Sequence, residues 1–199
     1  MQRRAVFTDL NFDFEADEEK VCSFTGYRPG KLPFLADKKS EKYQSLRKLL
    51  KAEIIGLAQK NITFFQTGMA RGIDLLCGEI VLEIRKEFDV HLFCAIPCKN
   101  QCCGWSGADV EAYNKLLSAA SGVTYITSEN YRDGCMMKRN RFLVDTSQYI
   151  LAVYDGQRGG TMSTINYAKK KKRTIIIINP TDFTRVELLH GNEKGVLYV

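Results

Sequence analysis

Three short segments of the chain set glycines beside hydroxyl and guanidinium groups in combinations suited to holding an anion. They are Thr25-Gly26-Tyr27-Arg28-Pro29-Gly30, Thr67-Gly68-Met69-Ala70-Arg71-Gly72-Ile73-Asp74 and Asp155-Gly156-Gln157-Arg158-Gly159-Gly160-Thr161. Gly159 and Gly160 allow the main chain within hydrogen-bonding reach of a phosphate, and Thr161 adds a hydroxyl and its own N–H where a helix begins. Arg28 and Arg71 can supply charge-assisted bonds to the same anion. An isolated Gly-Gly-Thr also fits a plain turn between strand and helix. It is the two other loops, equally rich in Gly, Thr and Arg, that tip the reading towards binding.

Other residues have two readings each. Asp74 either favours a helix N-terminus or accepts hydrogen bonds from a ribose hydroxyl. Trp105, the single tryptophan, shares a polar loop with Gln101, and either stacks on a base or covers an end of the core; Tyr131 has the same two readings. His91 begins a strand and His190 lies in the C-terminal segment, so neither reads as a catalytic base. Cys94, Cys98, Cys102 and Cys103 lack the spacing of a structural zinc site, and no metal or cofactor is expected. The chain has neither G-x-x-x-x-G-K-[ST] nor a G-x-G-x-x-G after its first strand, which argues against a P-loop NTPase and a standard NAD dehydrogenase.

The elements that must position these loops show in the apolar pattern. Short apolar runs occur at 21–24, 62–65, 90–96, 123–126, 149–154 and 174–178, long enough for strands and too short for helices. Helical stripes alternate with them: Tyr43, Leu46, Leu50, Ile54 and Leu57; Ile73, Leu76, Ile80, Ile84 and Phe88; Val110, Tyr113, Leu117 and Ala120. Weaker helical patterns follow at 136–144 and 161–172. Strands apolar on both faces and separated by helices belong to a parallel sheet covered on both sides. The expected fold is therefore α/β: a three-layer, Rossmann-like domain over residues 21–199 with a mostly parallel sheet of about six or seven strands. Residues 1–20 read as a tail or an added edge element, and the segment after Pro180, ending in GVLYV, as a source of one more edge strand. In such a sheet every unusual loop falls beyond the carboxyl ends of the strands, where ligands bind.

Composition sets bounds. The 199 residues are 45% hydrophobic and 26% charged, enough for one globular core. The net charge of +6 favours anionic partners, although much of it comes from the run Lys169 to Arg173, which reads as a solvated helix end. Seven cysteines without a C-x-x-C pair, and no N-terminal targeting pattern, point to a reduced, cytoplasmic protein. No apolar run approaches the length of a membrane span, so no membrane partner is expected.

Five ordered motifs resemble the YpsA/YoqJ-like family of bacterial proteins. They are Phe24-Thr25-Gly26-Tyr27-Arg28-Pro29, Gly68 to Asp74, Ile96-Pro97 with Gln101 and Trp105, Arg139-Asn140-Arg141-Phe142-Leu143-Val144-Asp145, and Gly159-Gly160-Thr161. That family belongs to the SLOG superfamily, with the DprA DNA-processing proteins and the LOG phosphoribohydrolases. The resemblance runs from about Val21 to Asn179. It implies a domain that binds a nucleotide or a nucleotide-derived ligand of the ADP-ribose or NAD kind, as a sensor or regulatory module, with Thr25, Gly26, Arg28, Gly68, Ala70, Gly72, Asp74, Gly159, Gly160 and Thr161 lining the pocket. Two alternatives follow from the relatives: LOG-like hydrolysis of the N-glycosidic bond of a nucleoside monophosphate, and DprA-like binding of single-stranded DNA. The LOG enzymes carry glutamates after their glycine-threonine loop, whereas Met162, Ser163 and Thr164 follow Thr161 here. A homo-oligomer is a further possibility that the family leaves open.

Overall fold

The computed structural model describes residues 4–9 and 12–190, with side chains from Asp17 onward. Strands β1 (Arg4–Asp9) and β2 (Phe12–Asp17) pair antiparallel in a two-stranded sheet of their own. The described part of the N-terminal segment thus forms a hairpin outside the main sheet. The main chain path then alternates: β3 (Val21–Thr25), α1 (Glu41–Gln59), β4 (Phe64–Thr67), α2 (Ile73–Ile84), β5 (His91–Ile96), α3 (Gly107–Ala119), β6 (Gly122–Tyr125), α4 (Cys135–Asp145), β7 (Tyr149–Val153), α5 (Gly160–Lys170), β8 (Thr174–Ile178) and β9 (Arg185–Leu188). The seven strands lie in the order β6-β5-β4-β3-β7-β8-β9, all parallel except β9. This is the expected three-layer α/β architecture. The antiparallel edge strand comes from the segment after Pro180, while the GVLYV stretch lies outside the described residues.

Two apolar clusters show why the strands are apolar on both sides. Cys22, Phe24, Leu151, Val153, Ile176 and Ile178 pack with α1, α2 and α3. The alternate residues Ile150, Ala152 and Ile175 face Val144 of α4 and Ile165 and Ala168 of α5. Successive side chains of a strand point to opposite faces, so each of these strands serves both layers. Helix α2 stops at Ile84, and Phe88, the last member of its apolar stripe, packs on the core from the loop beyond.

The sheet order contains a reversal. From β3 the chain steps outward through β4, β5 and β6, then returns through α4 to β7 on the other side of β3. Loops leaving β3 and β7 therefore diverge to opposite layers and leave a crevice at the switch point. Helix α4 is held against this point by polar bonds. Ser23 Oγ donates to Leu143 O at 3.0 Å, Gln66 Nε2 reaches Thr146 Oγ1 at 3.0 Å, and Arg173 donates to the carbonyls of Val144 and Asp145 at 3.1 and 2.9 Å. Arg173 is buried and also pairs with Glu18 at 3.3 Å, so the basic run that ends α5 is not solvated throughout.

Candidate functional site

The helices differ in how they begin. Ser40 and Ser106 cap α1 and α3, each side chain accepting a main-chain N–H three residues on. Helices α2, α4 and α5 start after Gly72, Gly134 and Gly159, with no side-chain cap. The first-turn N–H groups of a helix need partners from side chains, water or a ligand. In α2 the turn ahead of the helix is closed by the protein itself, whereas α5 opens onto the crevice.

That crevice is a cleft of about 270 Å³. The loop after β3 supplies Thr25, Gly26, Tyr27, Arg28 and Lys31; the loop after β7 and the start of α5 supply Gly159, Gly160 and Thr161; Ala70 and Asp74 come from the loop after β4 and the start of α2; and Met136, Arg139 and Asn140 come from α4. A Cβ built on Gly160 meets nothing within 4 Å, so the backbone there faces open space. Lys31 reaches across the cleft, its Nζ donating to Arg158 O at 3.0 Å and lying 4.7 Å from the centre of the Tyr27 ring.

Charge is unevenly distributed over the lining. Arg28, Lys31 and Arg139 are cationic, and Asp74 is the one carboxylate among these lining residues. Asp74 is already engaged: Oδ2 accepts from Arg139 Nη1 at 3.2 Å and from the Ala70 N–H at 3.3 Å. Burial pushes its carboxyl above the usual range, against the pull of Arg139, the Ala70 N–H and Arg28. Arg139 Nη1 also donates to Gly68 O, while its Nε is buried with no partner among the described residues. A buried guanidinium N–H without an acceptor costs free energy until something accepts from it.

The remaining sequence-nominated residues do not line the cleft. Gly68 backs it through its carbonyl, which also accepts from Gln101 Nε2 at 3.1 Å; Gln101 further donates to Met69 O at 2.9 Å. Gly72 sits at φ 90° against the Tyr27 carbonyl, where a Cβ would come within 2.5 Å of that oxygen. Arg71 turns to Asp109, at 3.7 Å, and lies 5.7 Å from the ring of Trp105, which packs edge-on against Tyr113 at 5.5 Å. Trp105 therefore covers the core in this structure. Tyr131 is exposed, its N–H donating to Asn100 Oδ1 at 2.6 Å. Asp155 accepts from the Tyr27 hydroxyl and from the Gln157 N–H at 3.1 Å. Burial acts to raise its carboxyl, but those bonds outweigh it and hold Asp155 below the ordinary value; burial and Asp155 push Tyr27 up to about 12, leaving it a neutral donor. Asp155 thus locks the loop after β3 to the loop after β7.

Tyr27, Lys31, Met136, Arg139 and Asn140 line the cleft without having been nominated as ligand contacts from the sequence. Met136, Arg139 and Asn140 stand at helical spacing on one face of α4, which is a readable signal once α4 is known to border the switch point. Among the described residues no helix is long and apolar enough to cross a membrane, and no group of three or more His, Cys, Asp or Glu is placed to share an ion.

Solved structures share the fold, and relatives match the sequence over most of its length. DNA processing protein A of Helicobacter pylori, studied for its single-stranded DNA binding mode, superposes with a TM-score of 0.55 at 16% identity, covering 79% of this chain and 64% of its own. DprA of Streptococcus pneumoniae gives 0.56 at 15% identity, covering 78% of this chain and 49% of its own. This chain spans less than two thirds of either protein, and the likeness is one of fold. UPF0398 proteins of Bacillus thuringiensis (strain Al Hakam) and Bacillus cereus (strain Q1) are 30% identical over 158 residues, covering 78% of this chain and 85% of each relative. A family profile, YpsA, described as the YspA SLOG family, matches residues 22–183, a span that takes in every loop lining the cleft, and the chain belongs to that family.

Proposed function

We propose that the cleft binds a nucleotide or nucleotide-derived ligand of the ADP-ribose or NAD kind through its phosphate, and that the protein acts as a sensor or regulatory module. One observation carries this reading: three cations and one already-paired carboxylate line a cleft into which the uncapped N-terminus of α5 opens. Helix N-termini favour anions through free N–H groups and the helix dipole. Arg28 and Lys31 add exposed charge at the mouth, and Arg139 Nε is an unused donor in the wall. Hydrolysis of an N-glycosidic bond needs a proton donor or acceptor at the reacting atoms. Asp74, the carboxylate of the lining, is committed to Arg139, which supports binding without turnover.

A second reading, binding of single-stranded DNA, is favoured by the exposed cations Arg28, Lys31 and Arg158 at the mouth and by the likeness to the DprA fold. The two differ in salt dependence. Affinity resting on several phosphates falls steeply with added salt, whereas a single pocket phosphate depends on it less.

The test is a thermal-shift screen of the parent and Gly160→Asp against ribose 5-phosphate, AMP, ADP-ribose, NAD and a single-stranded oligonucleotide. A ligand at 100 times its Kd adds about 2.7 kcal/mol, a shift readily read. The Asp side chain fits the open space at Gly160 and sets a carboxylate where the phosphate would sit. The proposal expects stabilisation by phosphate-bearing small molecules in the parent and none in the variant, with the unliganded Tm values close together. Equal stabilisation of both proteins would sink it.

A further inference from the structure

A second cavity adjoins the cleft. It is about 410 Å³, lies between α4 and α5, and shares Met136, Asn140 and Gly160 with the cleft. Small-molecule sites typically occupy roughly 300–1,000 Å³. The cleft alone, at about 270 Å³, falls short of that range, and the adjoining groove supplies the missing room.

The lining of the groove is of a different kind from that of the cleft. Met136 and Met137 form one wall and Tyr167 another. The Tyr167 hydroxyl is fixed by both carboxylate oxygens of Asp145 at 3.0 Å, and Arg141 and Lys171 lie over its ring at 5.7 and 5.2 Å from the centre, so the ring is preset and carries the guanidinium of Arg141, itself a lining residue of the groove. Met137 is 53% exposed, unusually so for a long apolar side chain. Two amides, Asn140 on α4 and Asn166 on α5, share the surface with Arg141, Ser163, Thr164 and Lys170, and neither amide side chain has a hydrogen-bond partner among the described residues. A carboxamide carries both donors and an acceptor, the complement of the edge of a heteroaromatic base. Methionine gives adaptable, polarisable contact with aromatic rings.

We infer that the groove between α4 and α5 is a base-recognition subsite: the ligand lays its phosphate on the start of α5 and its nucleobase between Met137 and the Arg141–Tyr167 pair. The inference rests on the phosphate reading of the cleft and deepens it by assigning a place to the base of that nucleotide. Asn140, at the junction, touches both parts.

The experiment compares ribose 5-phosphate with the four ribonucleoside monophosphates by isothermal titration, on the parent, Gly160→Asp and Asn166→Trp. Asn166 is exposed, so the Trp fills the groove without adding charge or touching the core. The inference expects at least one nucleotide to bind ten-fold or more tightly than ribose 5-phosphate in the parent. In Asn166→Trp that advantage falls to within two-fold while ribose 5-phosphate is unaffected. If nucleotides and ribose 5-phosphate bind alike in the parent, or Asn166→Trp leaves the advantage in place, the base subsite is wrong and the phosphate reading survives. If no phosphate-bearing probe binds the parent, or Gly160→Asp binds them as well as the parent, both readings fall. Should Asn166→Trp lose its fold by circular dichroism, Met137→Ser carries the same comparison. An oligonucleotide whose binding is weakened by Asn166→Trp where no mononucleotide binds would assign the base to a strand and overturn the free-nucleotide source.

Discussion

The loop after β4 and the loop after β7 look alike in the sequence and do opposite things in the fold. Both run from a buried strand through glycines to a helix without a side-chain cap. The first is closed by the protein's own groups. A Cβ at Gly68 would run into the Arg139 guanidinium, Asp74 takes the Ala70 N–H, and Gln101 covers the Gly68 and Met69 carbonyls. In the second, Gly160 faces space and Thr161 lines a cleft rimmed with cations. Glycine in the first loop permits close packing of protein on protein; in the second it leaves room for something else. Composition alone does not separate these uses, because both require the absence of a side chain.

Substitutions should separate them. The largest effect is expected at Arg139, which joins the closed loop to α4. Arg139→Leu leaves the Asp74 carboxylate buried without its partner, and breaking a buried pair from one side costs about 3–5 kcal/mol. The double variant Arg139→Leu, Asp74→Leu should recover part of that loss in urea unfolding. Additive losses would show that the pair is not coupled.

Next is Gly72→Ala, which forces a Cβ against the Tyr27 carbonyl at a positive φ and should cost about 2–4 kcal/mol, some 5–15 °C in Tm for a chain of this size. Gly160→Ala should stay within about 0.5 kcal/mol of the parent. Melts of the two side by side read the contrast between the loops directly, and equal losses would erase it.

The smallest effect concerns the latch between the loops on either side of the switch point. Asp155 has its carboxyl below the ordinary value, so its contribution is present above the unfolded value near 4 and lost as pH falls through the folded one. Asp155 is partly exposed and solvent screens it, which keeps the term under about 1 kcal/mol. Asp155→Asn should therefore lower stability slightly in the neutral region and converge on the parent in acid, which flattens the acid limb of the stability profile. A variant profile parallel to the parent's below pH 4 would remove Asp155 from the account.

Much of this was legible before the structure. The six parallel strands and five helices follow from apolar runs broken by 3.6-residue stripes, because a two-sided sheet imposes that pattern. That the unusual loops share one edge follows from parallel strands alone. What composition could not give is direction. Arg71 and Trp105 carry the right chemistry for a nucleotide, yet the turn aims them at Asp109 and Tyr113, away from the cleft. Arg139 sat in a quoted motif without a role, because its importance comes from the return crossing that lays α4 beside β3, a contact between residues more than a hundred positions apart. Asp74 fits both a helix start and a ribose contact by type and position, and its carboxylate is spent on Arg139 and the Ala70 N–H.

The measurement closest to the central claim is a titration of ADP-ribose into the parent and Gly160→Asp, with melting curves of both unliganded proteins. Saturable binding to the parent, a loss of at least a hundred-fold in the variant and matching unliganded Tm values are the expected result. Undiminished affinity in a folded Gly160→Asp would mean that no phosphate rests on the start of α5.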